Sequence, residues 1–308
     1  MGCFGRNHDE KCTPGAAVIP APGAHGGDGA RLAAALGVDP GAVLDLSASL
    51  NPVAPDAGEV VAKHLDAVAR YPDPADATDA LASAMGVDSD RLLLTNGGAE
   101  AIALVAAEFG GGVEEPDFAL YPRRSGPRWR SNPHNPSGRL AGDDEVAGVW
   151  DEAFYPLATG RWTRGDEGVV VVGSLTKLLA CPGLRVGYVL APDAAFIRRL
   201  RQPAWSVNGL AAAAVPDLLD SVDLPGWASA LAGLRGRLVD LLCSAGFAPE
   251  PSDANFVLVR APGLRGRLAP QGILVRDCAS FGLPDHVRSA GPDQDRLIRR
   301  EEAWCAAA

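Results

Sequence analysis

Short apolar runs alternate along this chain with longer segments of helical period. Residues 91–95 (RLLLT), 168–174 (GVVVVGS) and 184–191 (LRVGYVLA) are unbroken apolar stretches too short for helices, and each predicts a buried strand. A turn (NGG) and an apolar-rich helix (AEAIALVAAEF) follow the first run. Helices are also predicted over about 28–37, closing on Gly37, and over about 57–69, 193–202 and 208–220. Strands alternating with helices predict an α/β domain with a mostly parallel sheet. After Asp223 the pattern changes to a long helix over about 226–245, the strand candidates FVLVRA and GILVRD, and a final helix, which predicts a smaller α+β C-terminal domain. LDLSASLNP (44–52) reads as an extended segment turning at Asn51-Pro52, and the two prolines of RYPDP (70–74) exclude a helix. Residues 1–24, rich in Gly, Pro and charge, read as a loose arm.

Composition narrows the class of partner. At 308 residues, 47% hydrophobic and 21% charged, the chain has material for two lobes of an ordinary globular protein. A net charge of −10 argues against nucleic acid as the main partner. No apolar run approaches a membrane span, and the start lacks the apolar core of a signal peptide, so a cytoplasmic protein without a membrane partner is expected. Six cysteines, Cys3, Cys12, Cys181, Cys243, Cys278 and Cys305, are scattered with no CxxC pair and no metal-ligand spacing. Reduced thiols and no metal site are expected.

Only three of the 28 basic residues are lysines: Lys11, Lys63 and Lys177. Lys177 falls just beyond a predicted strand end, where functional groups collect in open α/β sheets. Position alone leaves it open between a lysine snorkelling from the strand and a functional amine, a role arginine cannot take in Schiff-base chemistry. The turn NGGAEA (96–101) offers free N–H groups and a helix dipole to a phosphate, although a Gly-Gly turn by itself is only a turn. SNPHNPSG (131–138) carries two Asn-Pro steps and must be a rigid loop. VWDEAF (149–154) sets an acidic pair after an apolar run; a buried carboxylate there needs a partner such as a protonated ring nitrogen, whereas an exposed one would be a cap.

Taken in order, these segments resemble the fold-type I enzymes that use pyridoxal 5'-phosphate, the aspartate aminotransferase superfamily. The glycine turn, the aromatic segment PDFALY, NP-NP-SG, DEAF, GSLTK and an arginine eight residues after the lysine stand in that family's sequence. The resemblance implies a three-layer α/β/α large domain with a mostly parallel sheet (56–222), a smaller α+β domain (223–308), and an N-terminal arm (1–55) packed on the latter. It also implies a role for each matching residue. Lys177 would bind the cofactor as a Schiff base and shuttle protons, Asp151 would pair with the ring nitrogen, Asn135 would bond the ring hydroxyl, and Phe118 would stack on the ring. The backbone at Gly98, Ala99 and Glu100, with Ser174 and Arg185, would hold the cofactor phosphate. Tyr71 would reach the phosphate of a second subunit, which implies a homodimer, and Arg288 would grip a substrate carboxylate.

AHGGD (24–28), LDLSASLNP (44–52) and PAWSVNGLA (203–211) are similar to segments of the threonine-phosphate decarboxylases of cobalamin synthesis, relatives of histidinol-phosphate aminotransferase. ILVRDCASF (273–281) fits both, with Arg276 on the phosphate of a phosphorylated amino acid and His25 and Asn51 nearby on the substrate side. Decarboxylation of L-threonine O-3-phosphate is therefore the expected reaction, with an aminotransferase of a phosphorylated amino acid as the alternative. The resemblance fails over 122–131 (PRRSGPRWRS), where four arginines stand in place of a family strand and helix and no buried strand is expected. Residues 139–149 and the region after Arg288 are also short. The chain is expected to be either a compacted working enzyme or a degenerate, non-catalytic member of the fold.

Overall fold

The structure, a computed structural model, describes residues 18–291, 293, 304 and 306. Lys11, Cys3, Cys12, Cys305 and nearly all of the expected final helix lie outside them. In chain order the elements begin with α1 (Gly29–Leu36), β1 (Leu44–Asp45), α2 (Ala57–Val61), α3 (Ala75–Met85), β2 (Leu92–Asn96) and α4 (Gly98–Phe109). They continue with β3 (Trp129–Ser131), β4 (Val149–Asp151), α5 (Tyr155–Thr159), β5 (Val170–Ser174), α6 (Leu175–Leu178), β6 (Val186–Leu190), α7 (Ala194–Arg199) and α8 (Gly209–Leu219). Last come α9 (Leu224–Ser244), β7 (Phe256–Arg260), α10 (Leu264–Leu268), β8 (Ile273–Leu274), β9 (Arg276–Asp277) and β10 (His286–Ala290). No helix among the described residues is long and apolar enough to cross a membrane.

The valine run β5 is the middle strand of a five-stranded sheet ordered β2-β6-β5-β4-β3. β3, β4 and β5 are parallel, whereas β6 runs antiparallel to both β5 and β2, so four strands share one direction. Side chains alternate across the pleat and split the core in two. Val170, Val172, Val149 and Val189 pack with α4 and Phe196 of α7, while Val171, Trp150, Tyr188 and Leu190 pack with α3, α5 and α8. A sheet buried on both faces needs apolar residues at every position, which explains the unbroken runs. This is the three-layer α/β/α arrangement.

The rest of the chain forms two small sheets, β7-β10-β9 and the parallel pair β1-β8. Through β1 the N-terminal segment pairs with the C-terminal part, Leu44 opposite Ile273. Helix α9 joins the two cores: Trp227, Leu231 and Leu234 pack into one and Leu238, Leu241 and Leu242 into the other, where Trp304 is also buried.

Two local expectations change. The helix expected over 57–69 is helical only as α2; residues Ala62–Ala69 form a 3-10 stretch broken at His64. Residues 122–131 do contain a buried strand, the edge strand β3, with Trp129 and Ser131 buried and Arg130 between them at the side. Three residues with one apolar side chain leave no run to recognise, and the strand exists because parallel pairing with β4 and Trp129 burial hold it.

Candidate active site

A cavity of about 520 Å³ opens at the C-terminal ends of β3, β4 and β5, closed from the other side by residues 25–50 and by β9 and β10. The parallel register sets Ser131 beside Asp151 and Asp151 beside Val172, so β3 and β4 end at one level and β5 runs two residues further, to Ser174. Ser174 closes β5 and caps α6, accepting from the Thr176 N–H at 3.3 Å, and this turn brings Lys177 into the cavity. Lys177 Nζ donates to the Ala48 carbonyl at 2.9 Å. Burial pushes its amine down to about 8, helped by the Arg288 and Arg185 guanidinium groups.

Asp151 lies on the floor. Its Oδ1 accepts from Ala153 N–H at 2.9 Å and its Oδ2 from Tyr121 OH at 2.8 Å. Burial raises its carboxyl to about 6 against those two hydrogen bonds, with the nearby Asp117 charge adding to the rise. The Asn-Pro loop places Asn135, whose backbone N–H donates to Ser131 Oγ at 2.8 Å and whose Oδ1 accepts from Arg288 Nη1. Arg288 also donates to Ser49 Oγ at 3.2 Å and lies over the Phe256 ring at 4.4 Å; its Nε has no partner. Burial lowers this guanidinium to about 10.

A second positive region surrounds the start of α4. Gly97 has φ of +78°, and a side chain there would overlap the Arg185 guanidinium. A Cβ on Gly187 of β6 would overlap the backbone of Gly97 and Gly98, so the glycine in GYVL lets strand and helix start approach. Arg185 itself takes a left-handed φ of 55°, a conformation a non-glycine residue adopts only when its surroundings impose it. Across the cavity, Arg276 donates through Nη2 to the Ala24 carbonyl at 2.6 Å and to Ser280 Oγ at 3.0 Å, while its Nε and Nη1 have no partner. His25 packs against Phe118 with ring centroids 5.6 Å apart; burial, then Arg276 and Lys177, lower its pKa.

Eleven of the fourteen residues singled out from the sequence line this cavity; Glu100, Asn51 and Tyr71 do not. The Glu100 N–H is used by the Gly97 carbonyl at 3.2 Å, and its side chain bonds Asn96 N–H and Gln202. Asn51 sits behind the lysine: its Nδ2 donates to the Leu178 carbonyl at 3.0 Å and its N–H to the Lys177 carbonyl at 3.0 Å, so it braces the lysine turn instead of facing the cavity. Tyr71 is 80% exposed and stacks on Trp205 at 4.7 Å. Sequence reasoning missed Tyr121 and Ser131. Their signal was position: Tyr121 ends the aromatic segment and Ser131 opens the Asn-Pro loop, but only the sheet register joins them to Asp151.

These residues fit pyridoxal 5'-phosphate on observations of the structure. A low-pKa amine, a buried carboxylate without a cationic partner and a guanidinium at a helix start face one cavity large enough for a cofactor and a small substrate. The profile of the aminotransferase class I and II family matches residues 130–295. The chain is 28% identical to histidinol-phosphate aminotransferase 1 of Dechloromonas aromatica, over 88% of this chain and 92% of that protein. It is 30% identical to the threonine-phosphate decarboxylase of Salmonella typhimurium, over 89% of this chain and 94% of the relative. The first alignment runs over 344 residues, more than the 308 of this chain, so segments of the relative are absent here. In three dimensions the fold is shared with the histidinol-phosphate aminotransferase of Sinorhizobium meliloti in complex with pyridoxal-5'-phosphate, at a TM-score of 0.74 and 17% identity over 90% of this chain and 92% of that one.

Proposed function

Because the chain belongs to the aminotransferase class I and II family and is a pyridoxal-phosphate-dependent enzyme, we propose that it converts L-threonine O-3-phosphate to (R)-1-aminopropan-2-ol phosphate and carbon dioxide. The observation that carries this reading is the pairing of two buried guanidinium groups, Arg276 and Arg288, across one cavity from Lys177, each with unpartnered N–H groups. A small molecule with two anionic ends and an amine meets all three.

Lys177 would hold the cofactor, and its amine could return a proton to Cα of the substrate. An amine with a pKa of about 8 can exchange protons near neutral pH. The cofactor supplies an electron sink for the bond broken at Cα. Asp151, held by Tyr121 and Ala153, would offer its carboxylate to the ring nitrogen, Asn135 would bond the ring hydroxyl and Phe118 would cover the ring. The Gly98 and Ala99 backbone, Ser174 and Arg185 take the cofactor phosphate. Arg288 orients the substrate carboxylate, and Arg276 takes the substrate phosphate. His25 and its strap close the cavity against water, which strengthens each of these charge interactions.

The chain divides functionally near residue 222 into a cofactor-binding lobe and a smaller lobe that carries Arg276 and Arg288, with the N-terminal segment on the latter. The working form is a homodimer. Exposed Leu65, Val68, Tyr71 and Trp205 are large apolar groups that a second copy would cover, and Tyr71 would then reach the partner's cofactor phosphate. A second reading, aminotransfer from a phosphorylated substrate such as histidinol phosphate to a 2-oxo acid, is favoured by the similarity to the Dechloromonas aromatica enzyme. One assay separates the two. Carbon dioxide released from O-phospho-L-threonine without a keto acid supports the decarboxylase; turnover strictly dependent on 2-oxoglutarate replaces it with the aminotransferase.

A further inference from the structure

We propose that Arg265 is a second guanidinium of the substrate-phosphate subsite, acting beside Arg276 beneath the strap formed by residues 20–27. The proposal rests on the reading of Arg276 above and extends it to a residue no family motif marks.

Arg265 lies on α10, in a segment (LRGRL) whose buried side should be apolar, as Leu264 and Leu268 are. It is nevertheless buried, and its Nη2 has no hydrogen-bond partner. Arg276, on β9, leaves Nε and Nη1 unpartnered as well. Burying guanidinium N–H groups without acceptors costs on the order of 1–3 kcal/mol each. A fold keeps such groups where a ligand supplies the acceptors.

Both arginines line one small recess, with His25, Gly26, Ser47 and Asp277 among its walls. His25, Gly26, Ser47 and Arg276 also line the catalytic cavity, so the recess adjoins it at the strap. Its volume of about 10 Å³ is room for a single oxygen-sized atom. A phosphoryl group held by Arg276 in the cavity can therefore insert one oxygen toward Arg265, whereas a carboxylate-only substrate has no third oxygen to place there. Asp28 and Asp277, also in the recess walls, offset part of the Arg276 charge, but neither carboxylate makes an ion pair with Arg265 or Arg276. Asp28 accepts from Gly23 N–H and Arg31, and Asp277 accepts from Ala279 N–H at 2.8 Å.

The same two side chains hold the strap by its carbonyls. Arg265 Nη1 donates to Pro20 O at 3.0 Å and Arg276 Nη2 to Ala24 O at 2.6 Å. Gly26 lies against the Ser47 backbone so closely that any Cβ would overlap it, and Gly27 N–H donates to Ser47 Oγ at 2.9 Å. A phosphoryl group bridging the two guanidiniums thus ties the strap, and His25 with it, to the occupied site.

The test is calorimetric titration of the cofactor-loaded enzyme with inorganic phosphate, O-phospho-L-threonine and L-threonine, in wild type, Arg265→Gln and Arg265→Lys. The expected result is about a tenfold weaker affinity of Arg265→Gln for both phosphorylated probes, unchanged affinity for L-threonine, and partial recovery in Arg265→Lys. Hydrogen exchange over residues 20–27 should slow on phosphate addition in wild type and not in Arg265→Gln. Equal weakening toward all three probes shows Arg265 to be a structural prop, and wild-type affinity in Arg265→Gln shows the recess to hold water only; either result overturns the proposal. Because the inorganic phosphate titration reads binding without turnover, Arg265-dependent phosphate binding together with no release of carbon dioxide from O-phospho-L-threonine would overturn the decarboxylase and leave this subsite standing.

Discussion

The segment from β5 through β6 and the bridge from residue 110 to 149 meet at the same cavity but are built by opposite means. β5, α6 and β6 satisfy their backbone groups in sheet and helix, and nearly every side chain is apolar and buried. The bridge holds one three-residue strand, β3, ends where β4 begins, and uses side chains to bond its carbonyls. Arg123 donates to Tyr121 O at 2.7 Å, Arg124 to Ala106 O, and Arg128 to Val146 O at 2.9 Å. Trp129 Nε1 donates to Gly110 O at 2.8 Å, and Glu145 pairs with both Arg128 and Arg130. A buried carbonyl needs a donor, and a guanidinium with five N–H groups can supply several at once. The bridge arginines thus supply hydrogen bonds to carbonyls where a strand and helix are missing, several of them at the surface. The lesson is that a sheet enzyme can lose regular elements at its edge if the registers at β4 and β5 survive.

The sharpest way to break the comparison is at the lysine. Lys177→Ala is expected to abolish the visible cofactor band that borohydride reduction fixes on the chain, and to cut turnover by roughly 10⁴-fold, while thermal stability stays near wild type. An unchanged spectrum would remove the basis for the catalytic reading. Next in size is Trp129→Ala, which empties a fully buried site in the bridge and should cost about 3–5 kcal/mol in denaturant unfolding. Because Ser131, two residues on, holds Asn135, the same variant should weaken cofactor binding, and normal affinity would show that bridge and site are independent.

Asp151 gives a smaller, pH-dependent effect. Its folded pKa of about 6 lies above the usual 3.8, so in cofactor-free protein the native state binds the extra proton between those values. Stability attributable to this residue should fall as pH rises from about 4 to 6, by on the order of 2–3 kcal/mol, and Asp151→Asn should remove that slope. Parallel pH curves for the two proteins would count against a strained floor carboxylate. Smallest is Glu145→Gln in the bridge, where a partly exposed carboxylate joins two arginines: a loss of about 1 kcal/mol, shrinking in high salt. A loss that salt does not reduce would mean packing, not charge, holds the bridge.

The contrast also explains what could be read in advance. Strands β2, β5 and β6 were legible because a sheet buried on both faces forces continuous apolar sequence. Lys177, Asp151, Asn135, Phe118 and Arg185 were singled out through the family resemblance, and the structure brings all five to one cavity. β3 was not, since its stability comes from one tryptophan and a neighbour's register. Glu100 and Asn51 were misplaced for a related reason: a helix start and a loop show which residues are near, not which N–H or amide is already bonded to its own backbone.

The sequence by itself determined the layered α/β core and the family, because those depend on local periodicity and on motifs standing in a fixed order. Only the tertiary structure decided that Tyr121 holds Asp151, that Asn51 braces the lysine turn and that Arg265 shares a recess with Arg276. Those facts arise from segments tens to hundreds of residues apart meeting at one register, and no local pattern records such a meeting.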